Sequence, residues 1–271
     1  MKKLKLAWAY TRLFLTAKDI ISIFKAALIK LEDELWVDLC GFKRRIGKKK
    51  LGWGNFSISF TLDNSTLTMY NEIFCLKVYS LFSEFLPKQG DTVVDLGACQ
   101  GIYTLFVAQN NTKGKIYAVE PDPDNFEWLV QHLRKNNTKN VICINEAVVN
   151  RNGSVYFQKG ATSGSGRIID NNVSINSDKR IIEVKATTLD NIFEKFNMKR
   201  IHILKIDVEG AEVDVLIGGK KALKKTEKIV LECHSDELRE KVKKLLFDRG
   251  FKEITHKNKF LPNILYFINR K

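Results

Sequence analysis

The fold is decided by the stretch Asp91-Thr-Val-Val-Asp-Leu-Gly-Ala-Cys-Gln-Gly101. Its apolar segment 92–96 predicts a buried strand, and the segment 102–110 that follows predicts a helix. Two glycines between them, Gly97 and Gly101, predict a tight turn at which the backbone can approach a bound molecule closely. This strand–turn–helix unit is typical of a nucleotide-binding α/β fold.

A second predicted strand, residues 115–120, ends in the carboxylate of Glu120, 25 residues after Asp95. Doubly wound α/β sheets hold a nucleoside-containing cofactor with this pair of a glycine turn and a distant acidic residue. The glycine turn alone could also be merely a tight strand-to-helix connection. Glu120 favours a ligand site, because its carboxylate can accept hydrogen bonds from both ribose hydroxyls.

Beyond residue 91, apolar strands alternate with helices. This alternation predicts a Rossmann-like, mostly parallel sheet with helices on both faces and the strand order 3-2-1-4-5. Residues 150–185 interrupt the alternation, and we interpret them as an insertion or hairpin next to the site. The other predicted strands are 141–145, 155–157, 181–184, 203–208, 229–233, 251–255 and 264–269, and the other predicted helices are 124–135, 237–249 and one that begins near 212.

Three regions are predicted along the 271 residues: a basic, helical N-terminal region at 1–50, an accessory segment at 51–90, and the α/β domain at 91–271. The accessory segment contains an alternating pattern from Phe56 to Leu62 and then a turn, which predict a hairpin whose second strand is 67–69. A helix is predicted at 71–85.

The chain is basic, with a formal net charge of +14, and residues 1–50 contain 13 Lys/Arg against 5 Asp/Glu. Such a charge attracts anionic partners, or simply gives a solvated, lysine-rich surface. The apolar run 13–31 is interrupted by charges and is therefore not a spanning helix. Its helical periodicity predicts an amphipathic helix, which would pack on its own domain or a partner subunit, or lie on the inner face of an anionic membrane.

Five scattered cysteines, none in a C-x-x-C pair, support neither a disulfide framework nor a zinc site. The four histidines are also dispersed. This pattern favours a reducing, cytoplasmic setting and predicts no metal site.

Residues 97–101 lack the middle glycine of the dinucleotide-binding pattern G-x-G-x-x-G. This departure argues against a dinucleotide as the ligand. Asp95, just before the turn, suits a ligand ammonium better than a pyrophosphate. S-adenosylmethionine carries an ammonium, a carboxylate that helix-start N–H groups can bind, and no phosphate. Glu146, after the third strand, could bind its adenine amino group or merely end the strand. The predicted cofactor-binding residues are Asp95, Gly97, Ala98, Gly101, Glu120 and Glu146.

Charged residues crowd the segment Ile203-Leu-Lys-Ile-Asp-Val-Glu-Gly-Ala-Glu212. Buried charges are costly unless they are paired, so a core strand seldom carries them for stability alone. In the predicted order this strand lies beside the first, and Asp207 emerges next to the cofactor. For Glu209 and Glu212, a Lys–Glu network that holds the strand-to-helix turn is the alternative.

The fifth predicted strand ends at the same edge of the sheet and brings Glu232 and His234 there. A carboxylate cluster of Asp207, Glu209 and Glu232 could also hold a divalent cation, although none is predicted.

Several motifs together resemble one known family, the FkbM-type methyltransferases. They are Asp95-Leu-Gly-Ala-Cys-Gln-Gly-Ile-Tyr-Thr104, Glu120-Pro121, Asn145-Glu-Ala-Val148, Thr188-Leu-Asp190 and Lys205-Ile-Asp-Val-Glu-Gly-Ala-Glu212. The resemblance covers residues 70–270, and one departure is Cys99, where the family usually has asparagine. It implies a class I fold with a seven-stranded sheet whose last strand is reversed. It also implies S-adenosylmethionine-dependent methylation of hydroxyl oxygens.

Methylation of a neutral hydroxyl requires in-line alignment with the donor and removal of the hydroxyl proton. The catalytic candidates are Asp207, as base or acceptor-orienting group, then His234, and Glu209. We predict an O-methyltransferase that acts on a small molecule, a sugar or glycan, or a lipid-linked precursor. The alternatives are an RNA methyltransferase, which the charge favours but no RNA-binding module supports, and a non-catalytic binding protein that retains the fold.

Overall fold

The computed structural model describes residues 48–53, 56–61, 64–169, 180–256, 258 and 261–270. The predicted amphipathic helix, and with it the proposed membrane contact, lies outside these residues. The chain divides into two compact units, with the boundary between Lys77 and Val78. Within the described part of the chain, no helix combines the length and the apolar character needed to cross a bilayer.

A seven-stranded sheet forms the centre of the second unit, with the order β12-β13-β11-β10-β3-β4-β5. Strand β13 alone is reversed, because it pairs antiparallel with both β11 and β12 while the other pairs are parallel. The predicted order 3-2-1-4-5 and the reversed last strand are confirmed. The strands are β3 (Thr92–Leu96), β4 (Lys115–Val119), β5 (Val141–Ile144), β10 (Ile201–Ile206), β11 (Thr226–Glu232), β12 (Phe251–Ile254) and β13 (Ile264–Asn269).

Helices connect these strands, and local sequence fixes where several of them begin. Asp122 caps the third helix by accepting the Asp124 N–H, with Pro123 in its first turn. Ser235 caps the last helix in the same way. The helices of this unit are α2 (Ile102–Asn110), α3 (Pro123–Lys135), α4 (Leu189–Lys195), α5 (Glu212–Ile217), α6 (Lys220–Leu223) and α7 (Asp236–Asp248).

One large apolar cluster lies on one face of the large sheet. Val94 and Leu96 of β3 belong to it, with Leu204 and Ile206 of β10. Because side chains alternate along a strand, the residues between them point to the opposite face. This alternation puts two charged residues, Asp95 and Lys205, on neighbouring strands away from that core.

A second, four-stranded sheet occupies the predicted interruption, with the order β6-β9-β7-β8. It has an apolar cluster of its own, which includes Val155, Phe157, Val184 and Ala186. The sequence pattern predicted only two of its strands, at 155–157 and 181–184; β6 and β8 were not predicted. The strands are β6 (Ala147–Val148), β7 (Gly153–Gln158), β8 (Arg167–Ile169) and β9 (Ile181–Thr187).

The accessory segment differs from its prediction. Strand β2 (Phe56–Thr61) pairs antiparallel with β1 (Lys48–Trp53), which lies upstream, so the predicted second strand at 67–69 is wrong. Those residues belong instead to helix α1 (Asn64–Tyr70). The alternating pattern identified the strand at 56–61 correctly, but such a pattern does not show which segment pairs with it. The predicted helix 71–85 is also wrong: a π-helical turn covers Asn71–Cys75, and Lys77 has φ 54°, which a right-handed helix cannot accommodate.

Candidate active site

The glycine turn between β3 and α2 is packed against neighbouring backbone. Gly97 has φ 74°, and a Cβ there would lie 1.7 Å from the carbonyl oxygen of Asp207. Gly101 has φ 83°, and its Cβ would lie 2.4 Å from Leu129 Cδ1. The Gly97 and Ala98 N–H groups donate to the Val119 carbonyl at 3.0 and 2.9 Å. Close approach to the backbone therefore requires glycine at position 97, and left-handed backbone favours glycine at both positions.

Glu120 is held rigidly beside this turn. Its carboxylate accepts the Cys99 N–H at 2.8 Å and the Asp122 N–H at 2.9 Å, and only 5% of the residue is exposed. Burial raises the pKa of Glu120 to about 7, although the two N–H donors oppose the shift. The predicted ribose-binding carboxylate thus faces the turn with its orientation fixed.

The predicted adenine-binding residue, Glu146, is half-buried. Its neighbour Asn145 joins the end of the third strand to that of the second, since Asn145 Nδ2 donates to the Glu120 carbonyl at 2.7 Å. The adenine contact of Glu146 stays a prediction.

Asp95 is fully buried behind the turn. Its Oδ2 accepts the Thr104 hydroxyl at 2.6 Å, and its Oδ1 lies 3.1 Å from Lys205 Nζ. Asp95 is thus already paired within the protein, and its predicted contact with the ligand ammonium remains a prediction.

Asp207 lies just past the end of β10 and forms part of a cluster of polar side chains. Tyr79 donates its hydroxyl to Asp207 Oδ2 at 2.9 Å and lies 3.4 Å from Glu232 Oε2. The Asp207 side chain remains 25% exposed. Burial, together with the charge of Asp207, raises the pKa of Glu232.

His234 faces the same cluster from the end of β11. Its Nδ1 lies 2.7 Å from Oε1 of the fully buried Glu212. Its Nε2 lies 3.3 Å from Glu209 Oε2 and 3.7 Å from Asp207 Oδ1. Burial opposes protonation, but the Glu212 hydrogen bond and the charges of Glu209, Glu212 and Asp207 raise the pKa of His234 to about 9. The three predicted catalytic residues therefore lie together.

Glu209 has φ 49° and is followed by Gly210 at φ 104°, so the chain turns sharply after β10. Burial raises the pKa of Glu209 to about 7, with the nearby carboxylates adding to the shift and His234 opposing it. Among the described residues, Asp207, Glu232 and His234 offer ligand atoms within 4.8 Å of one another. They could share a proton or a cation, but proximity alone does not make a metal site.

A loop between β7 and β8 covers the glycine turn from outside. The Ser163 carbonyl accepts Asn125 Nδ2 at 2.6 Å and the Cys99 thiol at 3.3 Å. Ser163 Oγ accepts Gln100 Nε2 at 2.9 Å. The contacts of Tyr79 and Asn125 were not predicted from the sequence. The Gly/Ser-rich composition of 162–166 predicted a loop at Ser163 that shapes the acceptor pocket, and that role stays a prediction.

Residues 95–254 match the methyltransferase FkbM domain. The chain belongs to the FkbM methyltransferase family. The resemblance of the sequence motifs, the class I α/β fold and the methyl donor S-adenosylmethionine are thereby confirmed.

Three curated relatives illustrate the range of proteins similar to this FkbM-family chain. The AMB antimetabolite synthetase AmbE of Pseudomonas aeruginosa is 27% identical over 63% of this chain, which spans only 10% of that protein. The 2-O-methyltransferase NoeI of Sinorhizobium fredii is 27% identical over 61% of this chain and 72% of NoeI. The hexuronic acid methyltransferase AglP of Haloferax volcanii is 25% identical over 64% of this chain and 68% of AglP.

The turn of this FkbM-family chain fits S-adenosylmethionine. Its glycines let the backbone pack tightly against Asp207 and Leu129, and the oriented carboxylate of Glu120 beside the turn is suited to two ribose hydroxyls. When bound, the donor supplies an electrophilic methyl group on a sulfonium.

The affinity for the donor is expected to rise with pH. Ribose hydroxyls bond better to ionised than to protonated Glu120, whose pKa is about 7. Binding therefore favours the ionised form, and we expect affinity to increase about tenfold between pH 5.5 and 8.5. Calorimetry with S-adenosylhomocysteine across this range checks it. Glu120→Gln is the control and should bind weakly without this dependence; an unchanged slope in that variant would assign the titration to another group.

Proposed function

We propose that this protein transfers a methyl group from S-adenosylmethionine to a hydroxyl oxygen of a sugar-containing acceptor. The observation that carries the proposal is the position of Asp207, whose backbone carbonyl packs on Gly97 of the donor turn. This position supports a role for Asp207 as a half-buried proton acceptor close to the proposed site of the methyl donor. The names of NoeI and AglP, a 2-O-methyltransferase and a hexuronic acid methyltransferase, support a sugar as the acceptor.

Asp207 is the proposed base. A histidine whose pKa is about 9 carries its proton at neutral pH, and so His234 cannot accept another. His234 is instead proposed to hold the acceptor or to stabilise the carboxylates around it. The hydroxyl would lose its proton to Asp207 while its oxygen attacks the methyl carbon in line with the departing sulfur.

Glu209 is proposed to bind a second hydroxyl of the acceptor. Its side chain is 32% exposed and lies on the turn that follows Asp207. A carboxylate or carboxyl group at this place can accept a hydrogen bond from a polyol.

The proposed setting is the cytoplasm, with contact to an anionic membrane through residues 1–50.

Transfer of a labelled methyl group tests the function. S-adenosylmethionine labelled in its methyl group is incubated with the full chain and neutral glycosides, hexuronic acid glycosides, lipid-linked sugars or RNA. We expect the label in a sugar as a methyl ether, which resists mild alkali, whereas a methyl ester does not. Label found only in RNA, or no transfer by protein that binds the donor, would contradict the proposal.

A further inference from the structure

Lys205 is a cation in the interior of the central sheet. Its side chain is 3% exposed, and it lies opposite Asp95 in the parallel register of β10 and β3. A buried ammonium is strongly destabilising unless several acceptors surround it. The groups that contact the Lys205 ammonium therefore indicate its role.

Those contacts join two parts of the active site. Lys205 Nζ donates to the Gly97 carbonyl at 2.7 Å and lies 3.4 Å from the Leu96 carbonyl, both at the start of the donor turn. It lies 3.1 Å from Asp95 Oδ1 and 3.5 Å from Asp207 Oδ2. One ammonium thus contacts the donor turn, the carboxylate before that turn, and the proposed base.

Tyr79 completes the arrangement. The ammonium of Lys205 lies 5.2 Å from the centroid of the Tyr79 ring, within the range of a cation–π contact. The same tyrosine donates its hydroxyl to Asp207 Oδ2. Asp207 is therefore fixed by two groups that also contact each other, which restricts the motion of its carboxylate.

We propose that Lys205 is a positioning residue for methyl transfer: its ammonium fixes the donor turn and the Asp207 carboxylate relative to each other. Methyl transfer depends on alignment of donor and acceptor, and a displacement of about 1 Å can lower the rate 100-fold. The part of this inference that concerns Asp207 rests on the proposed function. The part that concerns the donor turn does not.

A purely structural ion pair with Asp95 is the competing explanation. In that case, loss of Lys205 would lower thermal stability while the folded protein kept its donor affinity and turnover. The contacts with the Gly97 carbonyl and with Asp207 argue against it, because an Asp95 partner alone requires neither.

The test compares Lys205→Met, which removes the charge, with Lys205→Arg, which keeps it. Lys221→Met is the matched control, since Lys221 of α6 forms an exposed ion pair with Glu194 of α4. For Lys205→Met we expect S-adenosylhomocysteine to bind about tenfold more weakly in calorimetry. At saturating donor, kcat should fall about 100-fold, while KM for the acceptor changes little. Lys205→Arg should recover part of the affinity, and Lys221→Met should match the wild type.

Folded Lys205→Met with wild-type affinity and wild-type kcat would overturn the proposal. Should Lys205→Met fail to fold, Lys205→Arg decides: a fivefold or greater loss of kcat in folded protein supports positioning, and wild-type values of kcat and donor affinity overturn it. If the wild type methylates no hydroxyl acceptor, the proposed function fails, whereas the donor-affinity comparison still decides whether Lys205 holds the turn.

Discussion

Gly97→Ala is expected to eliminate donor binding and to destabilise the fold. The new Cβ would overlap the Asp207 carbonyl oxygen, at 1.7 Å, in a backbone with φ 74°. That oxygen belongs to the backbone just past the end of the neighbouring strand β10, so no side-chain movement can relieve the overlap. We expect a loss of about 2–4 kcal/mol in the free energy of unfolding and of at least about 100-fold in donor affinity. Thermal unfolding and calorimetry measure the two effects.

Gly250→Ala separates the overlap from the backbone strain. Gly250 has φ 86°, close to that of Gly97, but nothing lies within 4 Å of its Cβ position. The Gly250→Ala substitution should lower the free energy of unfolding by only about 1 kcal/mol and leave donor affinity unchanged. If Gly97→Ala behaved like Gly250→Ala, the close packing of the turn on Asp207 would not be what the donor site requires.

Asp207→Asn is expected to stop turnover while sparing the donor. Asparagine keeps the size of the side chain and can still accept the Tyr79 hydroxyl, but it is not a base. General-base catalysis contributes about 10²–10⁴-fold, and kcat should fall within that range. Affinity for S-adenosylhomocysteine should stay within about threefold, because the donor turn itself is unchanged. Asp236→Asn, in a side chain that is 98% exposed, is the control and should behave as wild type.

The pH profile of the wild type distinguishes the two candidate bases. If His234 took the proton, kcat would increase with pH up to about 9, since only the neutral imidazole accepts. With Asp207 as the base, no such increase is expected near pH 9. An Asp207→Asn variant with full activity, together with a rise near pH 9, would transfer the role to His234.

Much of the fold was predictable because short sequence patterns specify its strands, turns and helices. The apolar strands, the glycine turn and the capped helices each have a signature within a few residues, and the chirality of parallel crossovers limits their arrangement. The catalytic candidates were predictable for the same reason: Asp207 and His234 follow adjacent parallel strands, whose ends meet at one edge of the sheet.

The unpredicted features depend on contacts between distant parts of the chain. Tyr79 meets Asp207 from 128 residues away, in a segment whose helix prediction was wrong. Lys205 was recognisable as an unusual charge, but its partners follow from the register of β3 and β10. The strand at 48–53 begins with three lysines and crosses the predicted boundary between the basic, helical region 1–50 and the accessory segment, so no pattern marked it as one element.

The small sheet that carries the Ser163 loop has an apolar cluster separate from that of the large sheet. A substitution in the small sheet therefore need not disturb the packing of the large sheet. Residues 162–166 can vary in length without disturbing the apolar cluster of the large sheet, so the loop that covers the donor turn can be changed by exchanging one module. Cys99, Gln100 and Asn125, which bond to that module, are the positions where such an exchange must remain compatible with its host.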